Sequence, residues 1–199
     1  VVLLAHGSQR GTDRSDCSCS WNGTDPSAEG PAWCRQCPST PQGLQDVAER
    51  LQAALGLQSR QLVLSCLEFI EPYPKDAVRL LEGRGFRRVA VVPLLLGNGK
   101  HATLELDEVL DGLRREMPQV ELHLAEGLGA DPNLAELVVE RLRGLGGLPG
   151  ARPGPPAADR PAGVLLVKAG TKTLYDDCQW LKELGQLVEQ RLGTGFAVA

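Results

Sequence analysis

Short apolar runs alternate with longer mixed stretches along the first 143 residues of the chain. The apolar runs are rich in branched residues and have the length of strands buried in a parallel sheet. They cover residues 1–8, 61–69, 88–96 and 120–125. The stretches between them predict helices, because apolar residues recur there at helical spacing or because proline and glycine mark their ends. These helices cover residues 43–56, 75–84, 104–117 and 133–143.

This alternation predicts an α/β fold. Strand and helix repeats of this kind form a parallel sheet with helices on both faces, so we expect three layers. Two prolines refine the ends of the elements. Pro93 should lie where the third strand stops pairing, because proline has no backbone N–H to donate. Pro132 should be the first residue of a helix that Asp131 caps.

Two segments lack this periodicity. Residues 9–43 are rich in Ser, Gly, Pro, Asp and Thr and predict a long loop inserted after the first strand. Residues 148–162 are rich in Gly and Pro and predict a linker. We therefore expect an α/β domain at 1–147, a linker at 148–162 and a further unit at 163–199.

The last unit is similar to the start of the chain. Residues 163–170 repeat the apolar strand and glycine turn of residues 1–7, and a predicted helix at 174–192 and a strand from about 195 follow. We interpret this unit as a partial second repeat, since one strand–helix–strand unit is too short for a complete second domain. An incomplete repeat leaves an exposed surface, which is compatible with a homo-oligomer.

Composition and charge narrow the function. The chain has 199 residues and a formal net charge of −4, which argues against nucleic-acid binding. Its apolar runs are all shorter than the roughly 20 residues of a membrane span, so we expect no membrane association. Because no basic segment precedes the first strand, we expect no signal peptide and a cytoplasmic protein. The six cysteines are then expected to be reduced thiols or metal ligands.

Two histidines follow the carboxyl ends of predicted strands. His6 ends the first strand, and His101 follows the third strand through Gly-Asn-Gly-Lys at 97–100. Ligands of open α/β sheets bind at this edge, so we predict that the two imidazoles hold a divalent metal. The alternative for each is a strand-end histidine that bonds to the backbone. We interpret the third histidine, His123, as a structural or surface residue, because it lies inside the fourth strand.

Four cysteines lie in two close pairs within the 9–43 loop: Cys17, Cys19, Cys34 and Cys37. Four thiolates in two pairs suit a Zn²⁺ site or an iron–sulfur cluster. The Cys-Ser-Cys spacing departs from the commoner two-residue gap, so two other interpretations stay open. The loop could bind no metal, or its thiols could carry metal toward His6. We expect Cys66 and Cys178 to be buried and inert.

Five separated motifs together resemble the sirohydrochlorin chelatase family, the class II chelatases that insert cobalt or iron into a tetrapyrrole. The resemblance implies a flavodoxin-like, chelatase-like parallel sheet. It covers nearly all of residues 1–143. The motifs are Leu-Leu-Ala-His-Gly-Ser at 3–8, Cys-Leu-Glu-Phe-Ile-Glu-Pro at 66–72, Val-Val-Pro-Leu-Leu-Leu-Gly-Asn-Gly-Lys-His at 91–101, Glu105, and Gly-Leu-Gly-Ala-Asp-Pro at 127–132.

The resemblance implies that His6 and His101 bind the metal, with Glu68 beside them as a third catalytic residue. At the position of Glu105 the family usually has Asp, so the carboxylate is kept on a longer side chain. Residues 163–170 lack a histidine, so the second repeat should be inactive. The substrate is a polycarboxylate, and its expected binding residues are Ser8, Arg10, Gly97, Asn98, Gly99, Lys100 and Glu105.

The implied activity is ATP-independent insertion of Co²⁺ into sirohydrochlorin, a step of cobalamin biosynthesis. Neutral imidazole suits Co²⁺ and Fe²⁺ equally, so insertion of Fe²⁺ for sirohaem is the alternative. A histidine or Glu68 could accept the pyrrole protons as general base. A third interpretation is a non-catalytic carrier of metal or tetrapyrrole, which the four loop cysteines and the partial second repeat suggest.

Overall fold

The computed structural model of the chain describes residues 1–7, 25–27, 42–97, 105–144, 162–166, 179–192 and 196–198. It divides into two compact units. The first comprises 1–95 and 100–127, and the second comprises 96–99 and 128–199.

The first unit is built on a four-stranded parallel sheet. Its strands are β1 (Val2–Ala5), β2 (Val63–Cys66), β3 (Arg88–Pro93) and β4 (Glu121–Leu124), in the spatial order β2-β1-β3-β4. The first strand is therefore central. Every residue of β1 is at most 5% exposed, as expected for a strand that is covered on both faces.

Helices cover both faces of this sheet, in agreement with the predicted three layers. They are α1 (Gln42–Ala54), α2 (Pro74–Gly83) and α3 (Leu106–Glu116). Side chains of β1 alternate between the two faces, because successive residues of a strand point to opposite sides. Val2 and Leu4 join the apolar cluster that α2 and α3 cover, whereas Leu3 joins the cluster that α1 covers.

The second unit contains α4 (Pro132–Gly144), β5 (Ala162–Val164), α5 (Gln179–Leu192) and β6 (Phe196–Val198). Strands β5 and β6 pair in parallel. Helices α4 and α5 pack against each other through one apolar cluster, whose buried members are Ala135, Val139, Trp180, Leu184 and Val188. The domain boundaries expected at 147 and 163 stay a prediction. The structure adds that α4 forms its core with α5.

Most predicted elements are present, but the strands are shorter than their apolar runs. Residues Ser59–Gln61 form a 3-10 turn, so β2 begins later than the run at 61–69. Strand β3 ends at Pro93 as predicted. The cap of α4 is also confirmed, because the Asn133 N–H donates to Asp131 Oδ1 at 2.7 Å. The run at 163–170 contributes only its first residues to β5, which ends at Val164.

No helix in the described ranges is long and apolar enough to cross a lipid bilayer.

The core predicts a specific stability loss. Leu110 of α3 is 1% exposed within the larger cluster, so Leu110→Ala should lower the free energy of unfolding by about 2–5 kcal/mol. Leu137 of α4 is 46% exposed and is the matched control, with an expected change below about 0.5 kcal/mol. Urea unfolding followed by circular dichroism measures both, and equal effects would contradict this assignment of the core.

Candidate metal centre

His6 and Glu68 lie side by side at the carboxyl edge of the sheet. The hydrogen-bond ladder between β1 and β2 continues past the ends of both strands. The Leu67 N–H donates to the Ala5 carbonyl at 2.9 Å, and the Glu68 N–H donates to the His6 carbonyl at 2.9 Å. Both side chains are half-buried. The backbone itself thus brings together two residues that are far apart in the sequence.

Gly7 makes room for Glu68. Its φ of +94° lies in a region that favours glycine, and a Cβ built there would overlap the Glu68 carbonyl oxygen. The same Cβ would lie 3.0 Å from the Glu68 carbonyl carbon and 3.3 Å from Cys66 Cβ. The chain after His6 can therefore cross the end of β2 only because residue 7 has no side chain.

A tight turn holds Glu68 from the other side. The Ile70 N–H donates to the Glu68 carbonyl at 2.8 Å, two residues back, and Phe69 at the centre has a φ of +65°. A γ-turn with a positive central φ is rare and strained, and for a bulky residue this φ is an outlier. Such outliers concentrate at functional sites. Phe69 is also 40% exposed, so an aromatic ring is accessible beside the candidate site.

The rest of this loop is fastened to β2. The Pro72 carbonyl accepts hydrogen bonds from the Ser65 hydroxyl at 2.8 Å and from the Cys66 N–H at 3.2 Å. Ser65 is 1% exposed, so its hydroxyl is a buried polar group that this bond satisfies. The loop that bears Glu68 is thereby fixed at both ends.

One hydrogen bond sets the tautomer of His6. The ring atom Nδ1 lies 2.9 Å from the Gly7 carbonyl oxygen, and a carbonyl can only accept. Nδ1 therefore carries the proton, and in the neutral ring Nε2 carries the lone pair that a metal ion would bind. A backbone carbonyl bonded to the second ring nitrogen is the usual arrangement of a histidine that binds metal.

Of the other predicted site residues, only Gly97 and Glu105 lie in the described ranges. Glu105 precedes α3 and is half-buried. Gly97 belongs to the second compact unit, where it contacts Trp180. The remaining residues lie outside the described ranges: Ser8, Arg10, Cys17, Cys19, Cys34, Cys37, Asn98, Gly99, Lys100 and His101. The proposed pairing of His6 with His101 and the zinc or iron–sulfur hypothesis stay predictions.

The topology does show where the segment toward His101 begins. Strand β3 pairs in parallel with β1, and the Leu94 N–H donates to the Leu4 carbonyl at 2.7 Å beyond the end of β3. The chain that continues to His101 therefore starts beside the chain that continues to His6. Among the described residues, no three His, Cys, Asp or Glu side chains form a group that could hold a metal ion.

His123 and Cys66 have the environments that the sequence predicts. His123 is exposed on β4, with Nε2 2.9 Å from Glu121 Oε1, and is a surface residue. Cys66 is 2% exposed, and burial raises the pKa of its thiol to about 11. Cys178 lies outside the described ranges. The supporting roles of Gly7 and Ser65 were missed, because neither side-chain pattern nor spacing shows which backbone atoms meet.

Comparison with known families decides the relationship. The family model described as CbiX matches residues 36–145, which is more than half of the chain. The chain belongs to the CbiX family. The match includes Glu68, Gly97, His101 and Glu105, whereas His6 precedes it. The chelatase-family resemblance of the sequence motifs is confirmed, and the partial second repeat stays a prediction.

Curated relatives of this CbiX family member carry two activity names. The chain is 32% identical to a sirohydrochlorin ferrochelatase of Priestia megaterium over 76 residues, which is 38% of this chain and 29% of that protein. It is 29% identical to a sirohydrochlorin cobaltochelatase of Methanopyrus kandleri in a 98-residue alignment that covers 39% of this chain and 68% of that protein. The chain thus spans less than a third of the first relative and about two thirds of the second.

Solved structures support the chelatase-like fold of this family member. SirB from Bacillus subtilis with Fe³⁺ superposes with a TM-score of 0.64 at 18% identity, over 100% of this chain and 63% of that one. A sirohydrochlorin chelatase SirB from Bacillus subtilis subspecies spizizenii in complex with cobalt gives 0.62 at 15% identity, over 100% and 65%. At these identities the likeness concerns the fold.

Gly7 offers a test of this edge. Gly7→Ala places a methyl group on the Glu68 carbonyl at a φ that alanine rarely adopts, so it should lower the free energy of unfolding by about 3 kcal/mol. Gly112→Ala is the matched control. Gly112 lies inside α3 with no atom within 4 Å of a built Cβ, and alanine there should stabilise by about 1 kcal/mol. Urea unfolding measures both, and a neutral Gly7→Ala would contradict the described contact.

Cys66 offers a second test, through its reactivity. With a pKa of about 11, roughly one Cys66 thiol in a thousand is ionised at pH 8, and the thiolate is the reactive form. Iodoacetamide at pH 8 should therefore leave Cys66 unlabelled in the folded protein and label it fully in urea. Peptide mass spectrometry resolves Cys66 from the other cysteines. Rapid labelling of Cys66 without denaturant would show that the thiol is accessible.

Proposed function

We propose that this chain forms the metal-inserting part of a sirohydrochlorin chelatase, which places a divalent metal in the macrocycle without nucleotide hydrolysis. The observation that carries the proposal is the pairing of His6 with Glu68 at the carboxyl edge, held by the 2.9 Å bond between their backbones. This bond joins the backbones of a histidine and a glutamate, and in this proposal the imidazole is the metal ligand and the carboxylate is the base. Membership of the CbiX family and the activity names of the curated relatives support it.

His6 and His101 bind the incoming metal in this proposal. The Gly7 carbonyl fixes the proton of His6 on Nδ1, so Nε2 is the ligand. Two imidazoles occupy only part of the coordination sphere of Co²⁺ or Fe²⁺, because both ions take more than two ligands. The remaining positions are open to the macrocycle nitrogens, which can replace water one at a time.

Glu68 accepts protons in this proposal. A divalent metal enters the free-base macrocycle as two pyrrole N–H protons leave, so charge is conserved. A carboxylate beside the metal can take these protons as they are released and pass them to water. The Glu68 backbone, from which this carboxylate extends, is held by hydrogen bonds to His6 and Ile70.

The expected substrate-binding residues complete the proposal. The guanidinium of Arg10 and the ammonium of Lys100 would bind the carboxylates of the tetrapyrrole. Ser8, Asn98 and Glu105 would add polar contacts, and Gly97 and Gly99 would let the backbone approach the macrocycle.

The metal proposed is Co²⁺, with Fe²⁺ as the alternative, because the relatives include both a cobaltochelatase and a ferrochelatase. Imidazole binds both ions, so the protein ligands give no reason for a strong preference. The relative rates with each metal distinguish the two versions. A non-catalytic carrier of metal or tetrapyrrole would bind its cargo without raising either rate.

The deciding experiment follows metal insertion by absorbance. Purified protein is incubated anaerobically with sirohydrochlorin and Co²⁺ or Fe²⁺, and the rate is compared with the spontaneous reaction. His6→Ala should lower the catalysed rate by about 100-fold or more, since it removes a metal ligand. Glu68→Gln keeps the size of the side chain and should lower the rate by about 100-fold through loss of the base.

His123→Ala is the matched control. His123 is an exposed histidine on β4 whose partner is Glu121, so its removal should leave the rate unchanged. Equal losses in His6→Ala and His123→Ala would contradict the assignment of the site. A wild-type rate equal to the spontaneous rate, with metal or macrocycle still bound, would contradict the chelatase proposal and support the non-catalytic carrier.

A further inference from the structure

Phe69 combines two unfavourable features. Its φ of +65° lies where a side chain crowds the backbone, and the residue is 40% exposed. The left-handed region is unfavourable for any residue that has a Cβ, whereas glycine adopts it freely. Glycine would therefore form this γ-turn more easily, yet the chain has a large aromatic side chain there.

Packing in the core does not account for the ring. In the part of the chain that the structure describes, none of the apolar clusters includes Phe69. The neighbouring core position is filled by Ile70, which is 4% exposed and shares a cluster with Ala5 and Cys66. Strained residues concentrate at functional sites, where the strain is part of the mechanism. The exposed ring at a strained position therefore indicates a function for the ring.

The backbone that bears the ring is held on both sides. The Glu68 N–H donates to the His6 carbonyl at 2.9 Å, and the Ile70 N–H donates to the Glu68 carbonyl at 2.8 Å. Phe69 lies between these bonds, so its backbone is part of the candidate site. An aromatic side chain on a held backbone loses little freedom when it binds a ligand, because it has only two side-chain torsions.

The proposed substrate has two kinds of surface. Its carboxylates surround a flat conjugated macrocycle, whose two faces are apolar. The binding residues expected from the sequence are charged, polar or glycine: Ser8, Arg10, Gly97, Asn98, Gly99, Lys100 and Glu105. Residues of these kinds suit the carboxylates and leave the faces without an apolar partner. An exposed aromatic ring supplies such a partner, because flat conjugated rings stack favourably on one another.

We propose that Phe69 binds the macrocycle of the tetrapyrrole through its aromatic ring. This inference rests on the proposed function and adds to it a contact for the face of the substrate. The turn is less stable with phenylalanine than it would be with glycine, and in exchange the substrate binds more tightly.

One variant should therefore change stability and binding in opposite directions. Phe69→Gly keeps a residue that can form the γ-turn, relieves the strain and removes the ring. Its midpoint of urea unfolding should rise by about 0.5 M. Its Kd for metal-free sirohydrochlorin should rise by about 10-fold, the size of one lost stacking contact. The probe is sirohydrochlorin alone, titrated into the full chain and followed by its fluorescence.

Two further variants are controls. Phe69→Tyr keeps an aromatic ring and should bind sirohydrochlorin within about twofold of the wild type. Leu55 is 57% exposed and follows α1 shortly before β2, toward the amino edge of the sheet. Leu55→Ala should change neither the midpoint nor the Kd. An unchanged Kd in Phe69→Gly would overturn the proposal. A lowered midpoint would overturn it too, because the ring would then be a packing residue.

Metal binding separates this inference from the proposed function. The ring is not a metal ligand, so Phe69→Gly should leave the Kd for Co²⁺ alone within about twofold, whereas His6→Ala should raise it. A wild type that binds no sirohydrochlorin would overturn both proposals. A wild type that binds it without faster metal insertion would contradict the chelatase, and weaker binding by Phe69→Gly would still support the ring contact. Equal binding by wild type and Phe69→Gly would refute the ring contact even in an active chelatase.

Discussion

The structure of the candidate site depends on one constraint, which is the parallel pairing of β1 with strands on both of its sides. Because β1 is central, the chain beyond its end lies between the ends of β2 and β3. The backbone bonds that continue to Leu67 and Glu68 bring a loop more than sixty residues away against His6. The location of the candidate site thus follows from the order of the strands in the sheet.

The second constraint is the close approach at Gly7. A backbone hydrogen bond joins Glu68 to His6, and the close approach of the two chains also requires that residue 7 have no side chain. The strained turn at Phe69 returns the chain at once toward Pro72, where Ser65 and Cys66 hold it. Both features reduce the freedom of the Glu68 backbone.

Much of the fold could be predicted from the sequence, because the signals were local. Branched apolar runs gave the strands, and Asp131 with Pro132 gave the start of α4. The ends of strands were less predictable: the apolar run at 61–69 does not show that its first residue closes a 3-10 turn. In the site, the residue types of His6 and Glu68 were identified by motif, whereas the bond between their backbones depends on register. The packing of α4 against α5 was missed for a similar reason, since an apolar stripe on a helix does not show which element covers it.

The turn at Phe69 also bears on how the length of the chain can vary. Glu68, Phe69 and Ile70 reverse the direction of the chain shortly after β2. The Pro72 carbonyl then bonds back to Ser65 and Cys66, so the segment 67–72 is held at both ends. An extra residue there would strain the backbone bond between Glu68 and His6 or the bonds to Pro72. Loop grafting or domain insertion in this protein should therefore avoid residues 67–72.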